Sequence, residues 1–174
     1  MRLEKKSGSC HPSILSILLP VILLLIFSQA VIAQEPPPRP ITITVGQNLS
    51  FGAFTLGLSG GTVTISPVGS RSATGDVILL NMGYLYSTAQ YEVVGNPGTL
   101  VSLLNGPDVA LPGSNGGSLT LNIGSSNPIS PFVLTTLPPV STLLNVGGTL
   151  IVSTPGNNPA GSYSGTFYIT FVQE

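Results

Sequence analysis

Glycine and proline interrupt this sequence so often that a helical domain is nearly excluded. The 174 residues include 21 glycines and 16 prolines, and from residue 34 onward the longest stretch without either runs only from Tyr84 to Val94. That stretch is about as long as an average helix, but Tyr86, Thr88 and Tyr91 are residue types that favour strands. We therefore expect the chain to fold as an all-β protein.

The segments between these interruptions alternate apolar and polar residues, which is the period-two pattern of half-buried strands. The alternation is clear in four segments: Ile41–Val45, Thr62–Ile65, Leu119–Ile123 and Thr166–Phe171. Shorter runs predict further strands at 49–55, 76–80, 90–94, 100–104, 132–136 and 149–152. About eight to ten short strands at this spacing predict one antiparallel β-sandwich.

Two local patterns add detail to this prediction. Gly147-Gly148 lies between two apolar runs and predicts a tight two-residue hairpin. The segment from Tyr163 to Glu174 predicts a long final strand whose only charge is at its tip.

The first 33 residues have the layout of a secretory signal peptide. A basic stretch is followed by an apolar run and then by small residues at positions 31 and 33: Arg2, Lys5 and Lys6, then Ile14 to Phe27, then Val31 and Ala33. We expect a helical signal peptide over residues 1–33, cleaved after Ala33. The alternative is an uncleaved membrane anchor over Ser13–Ala33, a segment long enough to span a bilayer.

Three segments are therefore predicted: a signal peptide over 1–33, a Pro-rich spacer over 34–40 and a β-sandwich domain over 41–174. Prolines at the density of 34–40 favour an extended conformation and do not enter a sheet interior. Export predicts an extracellular, cell-surface or periplasmic location, with no membrane insertion once the signal is removed.

Cleavage would remove the residues on which most enzyme chemistry depends. Cys10, His11 and both lysines precede residue 34, so the exported chain would carry two arginines against five carboxylates, a net charge of −3. Histidine, cysteine and lysine supply most nucleophiles, bases and metal ligands, so we expect no enzyme and no cofactor. The lack of a basic patch also argues against a nucleic-acid partner.

A carboxylate pair, as used in glycoside hydrolysis, is the remaining catalytic possibility. Its candidates are Asp76, Glu92 and Asp108. Turn chemistry and exposure on a strand account for each of them more simply. A hydrolase is therefore the least favoured hypothesis.

Several segments, in order along the chain, are similar to those of one protein family. They are Phe51-Gly52, Gly60–Pro67, Ser72–Gly75, Tyr91–Gly98, Val146–Leu150 and Pro159–Phe167. Together they resemble the bacterial secreted family known as domain of unknown function 4402. The resemblance implies an immunoglobulin-like sandwich, distantly similar to fimbrial subunits, and implies no catalytic or binding residues.

The sequence leads to a structural or adhesive module as the favoured function, with self-association or other surface proteins as partners. Strand edges are normally protected by lysine, proline or charge, and the segments at both ends of the domain lack such protection. Ile41, Ile43 and Val45 are the candidate strand-donor residues, which would insert into another subunit. The alternative, which we prefer, is that they form the domain's own first strand.

A carbohydrate-binding module is the second hypothesis. Its candidate ligand platform consists of Tyr84, Tyr86 and Tyr91, whose rings could stack on sugars. Tyrosines spaced in this way more often pack at a sheet surface with their hydroxyls in water.

Overall fold

The computed structural model of this protein describes residues 39–174, all of them in strands, turns and loops. The predicted signal peptide over 1–33 and residues 34–38 of the predicted spacer lie outside the described residues. Twelve strands are present: β1 Thr42–Gln47, β2 Ser50–Phe51, β3 Ala53–Ile65, β4 Arg71–Leu80, β5 Tyr86–Ser87, β6 Ala89–Val94, β7 Leu100–Asn105, β8 Val109–Pro112, β9 Ser118–Asn127, β10 Phe132–Val133, β11 Thr142–Val152 and β12 Ile169–Gln173. Every pairing is antiparallel, and the predicted all-β antiparallel fold is confirmed.

Strand β11 organises the largest sheet, because it has neighbours along both edges. One edge pairs with β9, which in turn pairs with β8. The other edge pairs with β6 through residues 142–146 and with β3 through residues 148–152. Strand β1 extends the sheet beyond β6, and β4 extends it beyond β3.

A second sheet has the strand order β10-β7-β12. Its inward side chains, among them Val101 and Phe132, pack with Val93, Leu144 and Val146 of the large sheet in one apolar cluster. A second cluster lies between β3, β4, β8, β9 and the last part of β11: Val63, Ile65, Val77, Leu111, Leu119, Leu121, Leu150 and Val152, with Phe51. The core is thus divided into two connected halves, with Leu49, Ile123 and Phe167 packing against both.

The hairpin of β3 and β4 is folded back on itself. Its register shifts between Leu56 and Gly61, which marks a bulge in β3. The Arg71 guanidinium at the start of β4 donates to the carbonyl of Leu80 at the end of the same strand, at 3.4 Å. Nine residues of straight strand would separate these ends by about 30 Å, so the hairpin must bend sharply at the bulge. The part of the hairpin beyond the bulge, residues 53–56 and 77–80, covers the second cluster.

Three differences from the sequence predictions concern β11, β12 and the number of strands. Gly147-Gly148 forms no hairpin but lies buried inside β11, where the register with β9 shifts. A Cβ on Gly147 would collide with the carbonyl oxygen of Ile65. The glycines are therefore explained by the close approach of neighbouring backbones rather than by a turn.

The final strand is shorter than predicted, since β12 includes only Ile169–Gln173. The preceding residues form a single bridge between Tyr163 and Gly113 and otherwise run beside β8 without a ladder. The number of strands exceeds the predicted eight to ten, because β2, β5 and β10 are strands of two residues each.

Candidate functional site

Asp76 stabilises the corner of the folded hairpin, which is the bend at the β3 bulge. Its Oδ2 atom accepts hydrogen bonds from the backbone N–H groups of Leu58 and Ser59, which lie in the β3 bulge. A Cβ on the neighbouring Gly57 would collide with this carboxylate. The bulge therefore places two backbone donors around one carboxylate oxygen, which gives Asp76 a structural role.

The other candidate carboxylates lie on separate elements. Glu92 is exposed on β6, opposite Thr44 of β1 and Leu143 of β11. Asp108 is exposed in the turn between β7 and β8. Within residues 39–174, no three side chains of histidine, cysteine, aspartate or glutamate come together as a metal site.

No helix within the described part of the chain is long and apolar enough to cross a membrane.

The first candidate site is the seam, which we define as the inward side chains of two edge strands: Ile41, Ile43 and Val45 at β1 and Ile169, Phe171 and Gln173 on β12. Within the described residues, β1 pairs only with β6, and β12 pairs only with β7. The structure therefore places the candidate donor segment in its own domain, where it pairs with β6. Neither strand contains a charged residue or a proline.

The Gln173 side chain joins the two strands of the seam at one end. Its Oε1 accepts from the N–H of Ile41 at 3.0 Å, and its Nε2 donates to the carbonyl of Arg39 at 3.0 Å. Ile41 and Ile43 are half-buried against the first cluster, but Val45 is 61% exposed. The apolar row of β1 is thus incompletely covered at the Val45 end.

The three candidate tyrosines do not form one platform. Tyr91 packs edge-on against Phe171 in the seam, with ring centroids 5.4 Å apart. Burial raises the pKa of this phenol above the ordinary tyrosine value. Tyr84 and Tyr86 lie instead beside Arg71, near the second cluster, where Tyr86 pairs with Phe51. The structure therefore brings Tyr84 and Tyr86 together and places Tyr91 against the first cluster.

The second candidate site is a cleft of about 650 Å³ at the Arg71 end of the folded hairpin. Its lining consists of Arg71, Leu79, Leu80, Asn81 and Gly83 together with Tyr84, Leu85 and Tyr86. The size lies within the range of small-molecule sites, which is about 300–1,000 Å³.

Arg71 is the only charged side chain that lines the cleft. Its Nη1 and Nη2 atoms donate to the carbonyls of Leu80 and Ala53, and its Cζ lies 5.4 Å from the centre of the Tyr86 ring. Partial burial lowers the pKa of the guanidinium, while the nearby Tyr86 acts in the opposite direction. An arginine keeps its positive charge at any physiological pH.

Sequence reasoning missed Arg71 and Gln173 as site residues. Arg71 lies 15 positions from Tyr86 in the sequence, and only the folded hairpin brings the two together. Gln173 is an ordinary polar residue at the end of a strand, so its contact with the chain before β1 has no local signal.

The fold and the two sites define a small antiparallel β-sandwich domain with an uncharged pair of edge strands and an aromatic cleft. The chain belongs to the family described as domain of unknown function (DUF4402), whose model matches residues 41–172. No curated protein and no solved structure matches the chain.

Proposed function

We propose that this domain is a non-catalytic structural or adhesive module of an exported protein, which associates with other copies of itself through its strand edges. Its location would be extracellular, on the cell surface or in the periplasm. The interaction consists of backbone hydrogen bonds along an edge and apolar contacts with the seam. It requires no cofactor.

One observation carries this proposal: β1 and β12 are edge strands that meet on the same side of the sandwich and contain neither charge nor proline. Edge strands of proteins that remain monomeric are usually protected by such residues, because unpaired N–H and C=O groups attract further strands. The exposed Val45 adds an apolar contact beside the same edge.

The test compares the chain from Gln34 with three lysine variants. Thr44→Lys and Thr170→Lys place a charge at an exposed position of β1 and β12, whereas Thr154→Lys makes the same change in an exposed loop. Light scattering after size exclusion, over a range of concentrations, should show oligomers for the unmodified chain and for Thr154→Lys. The two edge variants should shift toward monomer.

A chain that stays monomeric at high protein concentration would refute the self-association proposal. Equal association of all three variants would refute the role of the strand edges, because the contact would then lie elsewhere on the domain. Electron microscopy of the same samples distinguishes ordered polymers from nonspecific aggregates.

A second candidate function is carbohydrate binding at Tyr84 and Tyr86, and the cleft favours it. Tyr84 is 70% exposed and Tyr86 is 49% exposed, so both rings are available to a ligand. Tyr84→Ala and Tyr86→Ala should abolish binding on a glycan array, while Tyr168→Ala, which removes a 74% exposed ring outside the cleft, should not. An array without signal for the unmodified chain would exclude this candidate.

A further inference from the structure

The positive charge of Arg71 has no counter-charge within residues 39–174. Its two hydrogen-bond acceptors, the carbonyl oxygens of Ala53 and Leu80, are neutral. The nearest carboxylate in sequence, Asp76, is held by the N–H groups of the β3 bulge. The described chain therefore presents an oriented cation to the cleft without an ion pair.

The Arg71 guanidinium also has unused hydrogen-bonding capacity. A guanidinium carries five N–H groups, two of them on each Nη atom. Nη1 and Nη2 each donate to one carbonyl, so each retains a second N–H, whereas the Nε atom is buried. Two carbonyl contacts fix the group in place, which reduces the ordering that a ligand would have to impose.

The remaining lining of the cleft is suited to a polar ring. Tyr84 presents an exposed aromatic ring, and Leu85 beside it is 84% exposed. The Asn81 side chain supplies both a donor and an acceptor for hydroxyl groups. The Tyr86 ring lies beside the guanidinium, so the aromatic surface and the charge belong to one site.

We infer that the cleft binds an acidic saccharide, in which a ring carboxylate meets Arg71 and the ring packs against Tyr84. This inference rests on the second candidate function, which it makes specific for a class of sugar. Charge-assisted contacts between arginine and carboxylate are about twice as strong as neutral hydrogen bonds. Neutral sugars would lack that contact and should bind more weakly.

The test changes the ligand rather than Arg71, because Arg71 also holds the folded hairpin together. Tri-galacturonic acid and its fully methyl-esterified form share the same rings and differ in charge. Titrations followed by amide chemical shifts should give an affinity at least about tenfold higher for the acid. The shifted resonances should lie at Arg71 and residues 81–86, and binding of the acid should weaken as salt is raised.

Protein variants locate the site independently of the charge. Tyr84→Ala should reduce the affinity for the acid several-fold, because it removes the ring against which the sugar packs. The fold should be unaffected, since Tyr84 is 70% exposed. Tyr168→Ala is the matched control, with a similarly exposed ring outside the cleft, and should leave the affinity unchanged.

The outcomes separate this inference from the candidate function on which it rests. If the methyl ester binds at the cleft as tightly as the acid, the charge has no role and the inference is wrong, although sugar binding survives. If neither compound binds at millimolar concentration, the inference fails, whereas the carbohydrate candidate fails only if the glycan array also gives no signal. Shifts confined to residues outside the cleft would also overturn the inference.

Discussion

The carboxylate of Asp76 accepts a hydrogen bond from the backbone N–H of Ser59, at 3.2 Å, across the corner of the β3–β4 hairpin. The same oxygen accepts from Leu58. Both charged residues of β4 therefore stabilise the folded hairpin, Asp76 at its corner and Arg71 between its ends.

Replacing Asp76 should destabilise the corner. Asp76→Ala leaves two backbone donors without their acceptor, and hydrogen bonds to a charged group contribute about 1.5–3 kcal/mol each at most sites. Because these bonds are exposed to solvent, we expect a lower total loss of about 1–2 kcal/mol in the free energy of unfolding. Urea denaturation of the variant and the unmodified chain measures this loss.

Asp108→Ala is the control for Asp76, since Asp108 is exposed in a turn. Its effect should stay within about 0.5 kcal/mol. Equal losses for the two variants would show that the bonds to the bulge contribute nothing beyond the removal of a surface charge.

Gly147 should not tolerate a side chain, because β11 continues through this position. The added Cβ of Gly147→Ala would meet the backbone of Ile65 and Ser66, and overpacking of this kind costs about 1–3 kcal/mol. Gly156→Ala adds the same methyl group where no atom lies within 4 Å. Thermal or urea unfolding should therefore separate the two variants, whereas similar stabilities would argue for a flexible turn at 147–148.

Tyr91 should ionise at a higher pH than an ordinary tyrosine. Burial raises its pKa above 10.0, so the neutral phenol is favoured in the folded state. The resulting stabilisation is complete below the unfolded pKa, about 10, and is lost as pH rises through the higher folded pKa. The free energy of unfolding should therefore fall in this alkaline range.

Tyr91→Phe should remove part of that alkaline loss of stability, because the variant has no phenol at this position. The measurement is the free energy of unfolding by urea, at neutral pH and at alkaline pH, for the variant and the unmodified chain. If the two proteins lose the same stability at alkaline pH, Tyr91 is solvated and the seam is more open than its contact with Phe171 indicates.

Gln173→Ala should loosen β1 with little effect on the rest of the fold. The substitution removes the bonds to Ile41 and Arg39, and the exchange of β1 amides should accelerate about tenfold, as expected for a local opening. Asn115→Ala removes a comparable side-chain bond to Ala160, at 2.7 Å, and should not affect β1. Unchanged exchange in Gln173→Ala would mean that pairing with β6 alone holds the strand.

The sequence predicted most of the strands, but it could not predict the partners of their side chains. Alternation at Ile41–Val45 and Leu119–Ile123 shows which residues face inward, because a strand exposes alternate side chains to opposite faces. It does not show which strand lies opposite. Tyr86 and Tyr91 lie only five residues apart in the sequence, yet Tyr91 packs against Phe171 and Tyr86 lies beside Arg71.

Glycine and proline by themselves determined that this chain folds into strands, because no segment of the predicted domain has both the length and the composition of a helix. Only the tertiary structure decided which contacts Gly147-Gly148 and Asp76 make. Gly147-Gly148 suits either a turn or two close backbones, and only the position of Ile65 shows that the backbones are close. The partners of Asp76, which are the N–H groups of the β3 bulge, also lie outside its local sequence. A local pattern carries no information about atoms from other parts of the chain.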